Sequence, residues 1–392
     1  MFFAEIILWL SIFCIFYTYL FYPLILKIAA GNKQLHYELT PYSKLPAVSI
    51  VMAAYNEEKV IEQKIRSVFN SNYPNELIEF YVGSDCSNDK TNEILLMLAQ
   101  EYPQLKVTLF TERQGKIQIL NQFFSCVKNE IIVITDANIM FDRNTLIELI
   151  SLFADEKIGL VDTQIIHTNL QKNGISYQEH TYLSYETSKK YRESVLFGII
   201  AGTFGGCYAV RRALLENVPK NFLVDDFFIC VNVILKNFKT VININARVFE
   251  DISNDAKIEF KRKIRIATGG FQNTFFFLGK LINIFSTVGF VMLSHKVVRW
   301  FGPFFFLFIF FSLAYLSFYS QIYLSLFIFA VFCILICCID IFLQKFNIHL
   351  FFIRYLTHFF ISNFALFIGF FRYLRGVKSS VWSPTQRHQK AR

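Results

Sequence analysis

Val48-Ser-Ile-Val-Met-Ala-Ala-Tyr-Asn-Glu-Glu58 is the stretch whose reading decides the fold. Small and β-branched apolar residues run to Ala54 and stop at a polar turn, the pattern of a buried strand beginning at Ala47. Glu57 to Phe69 then places Val60, Ile61, Ile65 and Val68 at helical spacing, and Ile78 to Gly83 supplies a second strand that ends on Ser84-Asp85. The period switches from two to 3.6 and back. A helix over Asp89 to Gln100, a strand over Lys106 to Phe110, a helix over Gly115 to Val127 and a strand over Glu130 to Thr135 continue the alternation, which closes on Asp136. Repeated strand–helix units predict an α/β, Rossmann-like domain with a mainly parallel sheet, from Pro46 to about Asp255.

In open α/β sheets ligands bind beyond the carboxyl ends of the strands, where loops and helix N-termini converge. Asn56, Asp85 and Asp136 all follow strands and are expected to face one crevice. Each also has a plain structural reading, Asn56 as the cap of a helix starting near Glu57 and Asp89 as the cap of the next. Three such positions in one alternating unit point to a site.

Outward from this domain the composition changes. Of 392 residues, 54% are hydrophobic and 47 are Phe, more than a soluble chain carries. Phe2 to Leu26 holds one charge, Glu5, and Pro303 to Phe371 holds only Asp340, Lys345 and Arg354. About 25 apolar residues at about 1.5 Å each suffice to cross a hydrocarbon core of about 30 Å. The start Met-Phe-Phe-Ala-Glu lacks the basic opening and small-residue cleavage site of a signal peptide, so 1–27 reads as an uncleaved anchor and 28–45 as a linker. The net charge of +9 gathers in Lys257, Lys261, Arg262, Lys263 and Arg265 and in the tail from Arg372 to Arg392. Both clusters flank apolar segments, which suits anionic headgroups better than nucleic acid. Eight scattered Cys without metal-ligand spacing read as reduced thiols, consistent with an integral membrane protein whose catalytic domain is cytosolic.

Val48 to Glu58, Gly83-Ser-Asp-Cys-Ser-Asn-Asp-Lys-Thr91, Gln114-Gly-Lys116 and Thr135-Asp-Ala-Asn138, in this order and spacing, resemble family 2 glycosyltransferases, the membrane branch that includes cellulose, hyaluronan and poly-N-acetylglucosamine synthases. The resemblance runs from Pro46 to about Gln272 and implies a GT-A nucleotide-sugar fold. It implies that Ala54, Tyr55 and Glu57 line the donor nucleoside, that Asp85 accepts the uracil imide proton, and that Lys116 faces the diphosphate. Asp136 would bind the ribose or hold Mg²⁺ or Mn²⁺, ions that prefer carboxylate and phosphate oxygens. Position 138 is Asn where Asp is commoner, so a metal held by Asp136 and Asn138 is expected to be held less tightly.

Further along, Gly202-Thr-Phe-Gly-Gly-Cys-Tyr-Ala-Val-Arg-Arg212 resembles the stretch beneath the acceptor sugar, which makes Gly205 and Gly206 acceptor-binding candidates; Gly pairs are also ordinary turns. Leu223-Val-Asp-Asp-Phe-Phe-Ile229 matches the family's acidic pair, with Asp226 the candidate general base and Asp225 the reserve. Either carboxylate also suits a helix cap. Many processive members carry Gln-x-x-Arg-Trp; here Arg262-Lys-Ile-Arg-Ile266 keeps Arg265, a diphosphate-binding candidate, but lacks the aromatic platform, which leaves processivity open.

Behind the domain, residues 256–302 read as amphipathic interfacial helices and 303–374 as a membrane region, with a hairpin over Phe304 to Ser320 and Ile322 to Leu343. The last segment carries Arg354, His358 and Ser362 as one polar stripe, which faces protein, headgroups or a sugar path, or else marks an interfacial helix. Three crossings after a cytosolic domain would put the basic tail, 375–392, outside, against the positive-inside rule. A cytosolic tail is the expectation.

The function expected from these residues is inverting transfer of a sugar from a UDP-sugar to a membrane-proximal glycan or glycolipid in surface polysaccharide synthesis. The alternatives are a polyprenyl-phosphate glycosyltransferase adding one sugar and a non-catalytic nucleotide-sugar-binding membrane scaffold. Expected partners are the donor, a glycan or lipid-linked acceptor and membrane lipids, and no nucleic acid.

Overall fold

The computed structural model describes all residues except 171–175, 252–254, 345, 347, 349, 380 and 382–392, so the basic tail lies largely outside the described residues. The chain divides into two compact units, one holding Ala30–Leu170 and Tyr182–Ser253, the other Met1–Ala29, Gln171–Thr181 and Asn254–Gly376.

The first unit is built on an eight-stranded sheet. Its strands are β1 (Val48–Ala54), β2 (Ile78–Asp85), β3 (Leu105–Phe110), β4 (Ile131–Thr135), β5 (Ile139–Phe141), β6 (Ile158–Thr168), β7 (Cys207–Arg211) and β8 (Lys239–Asp251), in the spatial order 3-2-1-4-7-6-8-5. β1 to β4 run parallel, as the βαβ pattern requires. The sheet as a whole is mixed rather than mainly parallel, because β7 lies antiparallel to both β4 and β6, and β5 antiparallel to β8. This reversal matters: Cys207 pairs with Thr135, so the loop that enters β7 meets the loop that leaves β4. Val48, Ile50, Met52, Ile131 and Val133 are fully or almost fully buried in the core between sheet and helices.

The helix expected from Glu57 begins only at Ile61. The amides of Glu57 and Glu58 are taken instead by Thr91 Oγ1 at 2.8 Å and Asp89 Oδ2 at 3.1 Å, and Asn56 stands in the left-handed region with Oδ1 accepting from the Asn88 amide. Asn56 therefore braces two loops and caps no helix, and Asp89 Oδ1 accepts from the Thr91 amide just ahead of helix Thr91–Glu101, whose N-cap is Lys90 rather than Asp89. Much of the stretch read as a linker is docked in this unit: the Leu35 amide donates to the Tyr191 hydroxyl, Tyr37 Oη to Glu148 Oε2 and the Thr40 amide to Ser151 Oγ.

Among the described residues of the second unit three helices are long and apolar enough to cross a membrane, Phe2–Ala30, Gln321–Gln344 and Phe352–Leu374. Thr287–Trp300 and Gly302–Leu316 form a pair bent by 57°, either a broken span or a re-entrant loop. The Phe2–Ala30 helix relaxes into a π-turn at Tyr17–Phe21, where Tyr17 Oη meets Ser294 Oγ at 2.7 Å and Thr18 Oγ1 donates to the Ser294 carbonyl. The polar stripe of the last helix faces protein: His358 Nε2 lies 2.7 Å from Glu179 Oε1, and Lys263 Nζ, itself paired with Glu179, donates to Ser362 Oγ at 3.0 Å. Burial opposes the charge on Glu179, but Lys263, then His358 and Arg262, outweigh it and hold that carboxyl well below the ordinary range.

Candidate active site

The carboxyl ends of the neighbouring parallel strands β1, β2 and β4 lead to the residues expected to bind the donor. In the β1–β2 register Ala54 pairs with Ser84, which sets Tyr55 and Asp85 at one edge. Asp85 is fully buried, and both its oxygens are engaged by one loop: Oδ1 accepts the Gln114 amide at 2.5 Å, and Oδ2 accepts the Gly115 amide at 3.1 Å and Arg113 Nε at 3.0 Å. Arg113 also lies flat over Tyr55, its Cζ 3.3 Å from the ring centroid. Asp85, Tyr55 and Arg113 thus form one fixed wall, and Arg113 is a member that the motif reading passed over. Gly115 has φ +84°, which only glycine adopts without strain, and it turns the chain so that helix Lys116–Cys126 starts inside the site. Ala54 is buried at the end of β1, and Glu57 is half-buried in the turn after it.

Lys116 is where the donor side meets the acidic side. Its Nζ lies 2.9 Å from Asp136 Oδ1 and 3.4 Å from Asp225 Oδ2. Burial works against this ammonium, but Asp136 and Asp225, joined by Asp226, outweigh it and raise its pKa above the ordinary lysine value. Asp225 and Asp226 occupy the first turn of helix Asp225–Leu235, whose N-cap is Val224, so neither is the cap. A helix N-terminus favours carboxylates there.

Asp226 faces the glycine loop. Thr203 Oγ1 donates to its Oδ2 at 3.3 Å, and a Cβ on Gly205 would stand 2.9 Å from the same oxygen. Gly205 has φ +78°, so both the turn and the closeness of Asp226 require glycine at this position. The Gly206 carbonyl accepts the Asp136 amide at 2.9 Å, a direct result of the antiparallel β4–β7 register. Burial and the neighbouring Asp225 push Asp226 up to about 6, against the opposing charges of Lys116 and Lys190. A base must be unprotonated to act, so with Asp226 in the expected role of base turnover should rise with pH through about 6; a profile of kcat against pH with its acid limb at the ordinary carboxylate value, about 4, would contradict that role in this environment.

Beneath the site lie groups to which the sequence reading gave no role. Lys190 Nζ meets Asp162 Oδ2 at 2.9 Å with both side chains fully buried, and the Lys190 ammonium sits 3.3 Å from the Phe204 ring centroid. Tyr208 is fully buried among Asp225, Asp226 and Asp136, which together with burial hold its hydroxyl protonated. Lys64, also fully buried, is pushed down to about 7 by burial, with Cys207 and Asp136 opposing. A charged residue at an apolar position, Lys64 on the helical stripe of Ile61, Ile65 and Val68 and Asp162 after Leu160-Val161, is the sequence signal that would have found two of them.

For a divalent cation the protein offers the Asp136 carboxylate and the Asn138 amide oxygen; Asn138 Nδ2 is turned to Glu250 Oε1 at 3.3 Å. Among the described residues no group of three or more His, Cys, Asp or Glu is placed to hold an ion. This donor set fits Mg²⁺ or Mn²⁺ completed by the oxygens of a nucleotide diphosphate, and bound there the ion would neutralise charge on the leaving group. Arg265 stands on helix Ala256–Phe276 of the membrane unit.

The Rossmann-like sheet, with a lysine and a carboxylate at the carboxyl edge of its parallel strands and an acidic pair against a glycine loop, is that of the GT-A fold. Residues 49–218 match the model of Glycosyl transferase family 2. It is 30% identical over 242 residues to the β-monoglucosyldiacylglycerol synthase of Trichormus variabilis, 60% of this chain and 52% of that one. With the poly-β-1,6-N-acetyl-D-glucosamine synthase of Staphylococcus aureus it shares 26% identity over 156 residues, 36% of this chain and 37% of the other. The chain spans about half the length of the first curated relatives it matches. A solved structure of the same fold, the mannosyltransferase PcManGT from Pyrobaculum calidifontis in complex with GDP-Man and Mn²⁺, superposes with a TM-score of 0.71 at 20% identity, covering 95% of this chain and 99% of that one.

Proposed function

We propose that this protein is an inverting glycosyltransferase that moves a sugar from a UDP-sugar to the hydroxyl of a glycolipid or lipid-linked glycan at the membrane surface. The observation that carries the reading is the convergence, on one sheet edge, of Lys116 and Asp136 with Asp226 against Gly205. Asp85, Tyr55 and Arg113 bound the base, Lys116 and Asp136 meet the diphosphate, and Asp226 takes the acceptor proton as oxygen attacks the anomeric carbon opposite the leaving nucleotide. The glycolipid half of the proposal is supported by the membrane helices and by relatives named for glucosyldiacylglycerol synthesis. Three crossings, one before the catalytic residues and two after them, would return the chain beyond Leu374 to the catalytic side, the cytosol in this reading; a fourth through the bent pair would reverse this.

Purified protein in detergent with labelled UDP-sugars, Mn²⁺ and a membrane lipid extract should move label into the organic phase as a glycolipid or lipid-linked glycan. Label in a single-sugar polyprenyl phosphate, or none from any UDP-sugar, would overturn the proposal.

A further inference from the structure

Helix Ile61–Phe69 presents an apolar stripe to the sheet, yet one position on it is Lys64, with 0% of its surface exposed. Its Nζ donates to Thr135 Oγ1 at 2.9 Å and to the Ile139 carbonyl at 2.6 Å, and lies 3.8 Å from the Phe141 ring centroid. These two hydrogen-bond partners are a hydroxyl and a carbonyl, not carboxylates. Burying an ammonium in this way is costly, and a Met or Leu would fill the stripe without that cost. What the ammonium gains is position. Thr135 is the last residue of β4 and Ile139 the first of β5, so the two bonds close the turn that carries Asp136 and Asn138. Thr135 Oγ1, accepting from Lys64, has its own proton free for the Gly206 carbonyl 3.2 Å away, the same carbonyl that takes the Asp136 amide.

Resting on the donor-site reading above, we propose that Lys64 is a positioning residue, a buried clamp that holds the Asp136–Asn138 turn in its diphosphate-binding shape and ties it through Thr135 to the glycine loop. It touches no substrate. Its loss should appear in donor binding and leave acceptor binding alone, which general loosening of the fold would not do.

The test measures UDP affinity by calorimetry with Mn²⁺ present, together with donor and acceptor KM, in wild type, Lys64→Met, Thr135→Val and the double variant. Ile65→Ala, a core change on the same helix, controls for stability. Both single variants should weaken UDP binding and raise donor KM about tenfold or more, the size of effect seen for supporting groups around a metal or phosphate site. The double variant should lose no more than Lys64→Met alone, acceptor KM should hold, and Ile65→Ala should lower the melting temperature without changing UDP affinity. UDP affinity equal to wild type in Lys64→Met and Thr135→Val, or equal rises in donor and acceptor KM, would overturn the clamp. If Lys64→Met does not fold, Thr135→Val decides by the same criterion. Wild-type protein that binds neither UDP nor GDP would overturn the donor-site reading itself, and the clamp with it.

Discussion

Asp226→Asn should lower kcat about 10³-fold, within the range general-base removal gives, while donor affinity stays within reach of wild type. The reasoning is local. Asp226 lies at the start of its helix, with one oxygen held by Thr203 and hard against Gly205, so its carboxylate is aimed by the loop expected to bind the acceptor. Asn keeps the shape and the contact with Thr203 but cannot take a proton. Asp225→Asn offers the contrast, because Asp225 is paired with Lys116: its loss should weaken donor binding more than it slows the chemical step. Single-turnover rates with saturating donor separate the two outcomes, and equal effects of both changes on kcat would assign the base role to the pair rather than to Asp226.

Lys116→Met should cost about 10² to 10³ in kcat/KM, the scale on which a single group stabilising developing charge contributes. It should also leave a second mark. Lys116 holds the Asp226 pKa down, so removing the ammonium leaves only weaker effects, that of Lys190 among them, to oppose burial and Asp225 and moves the acid limb of the pH profile above about 6. A slower variant with an unmoved limb would mean that Lys116 acts on the donor without being coupled to the acidic pair. Lys116→Arg should recover part of the donor affinity, since a guanidinium suits phosphate oxygens.

The first half of the sheet was legible because each parallel strand is a short apolar run closed by polar residues, and β1 to β4 fall within a residue or two of their expected bounds. β7 was harder: an apolar run does not encode its direction, and whether Cys207–Arg211 lies parallel or antiparallel to β4 is decided by residues more than 70 positions apart. That reversal is what brings Gly206 to Asp136, so the motifs could be named from the sequence while their meeting could not. The start of the first helix moved from Glu57 to Ile61 for a similar reason, since Thr91 and Asp89, distant in sequence, claim the intervening amides. Segment 28–45 has little apolar periodicity and reads as a linker, yet the Tyr37 hydroxyl bonds Glu148, Asn243 and Asn245 and the Thr40 amide bonds Ser151, a mode of attachment that leaves no periodic trace. Arg113 stood one residue before a quoted motif and shows its role only once it is seen stacked on Tyr55.

The central claim is a single displacement in which Asp226 activates the acceptor across from a nucleotide held by Lys116 and Asp136. The anomeric configuration of the product tests it most directly. With an α-linked UDP-sugar as donor, the proton NMR spectrum of the purified product should show the β-anomer; an α-linked product would mean retention and would contradict Asp226 as the base of a one-step transfer.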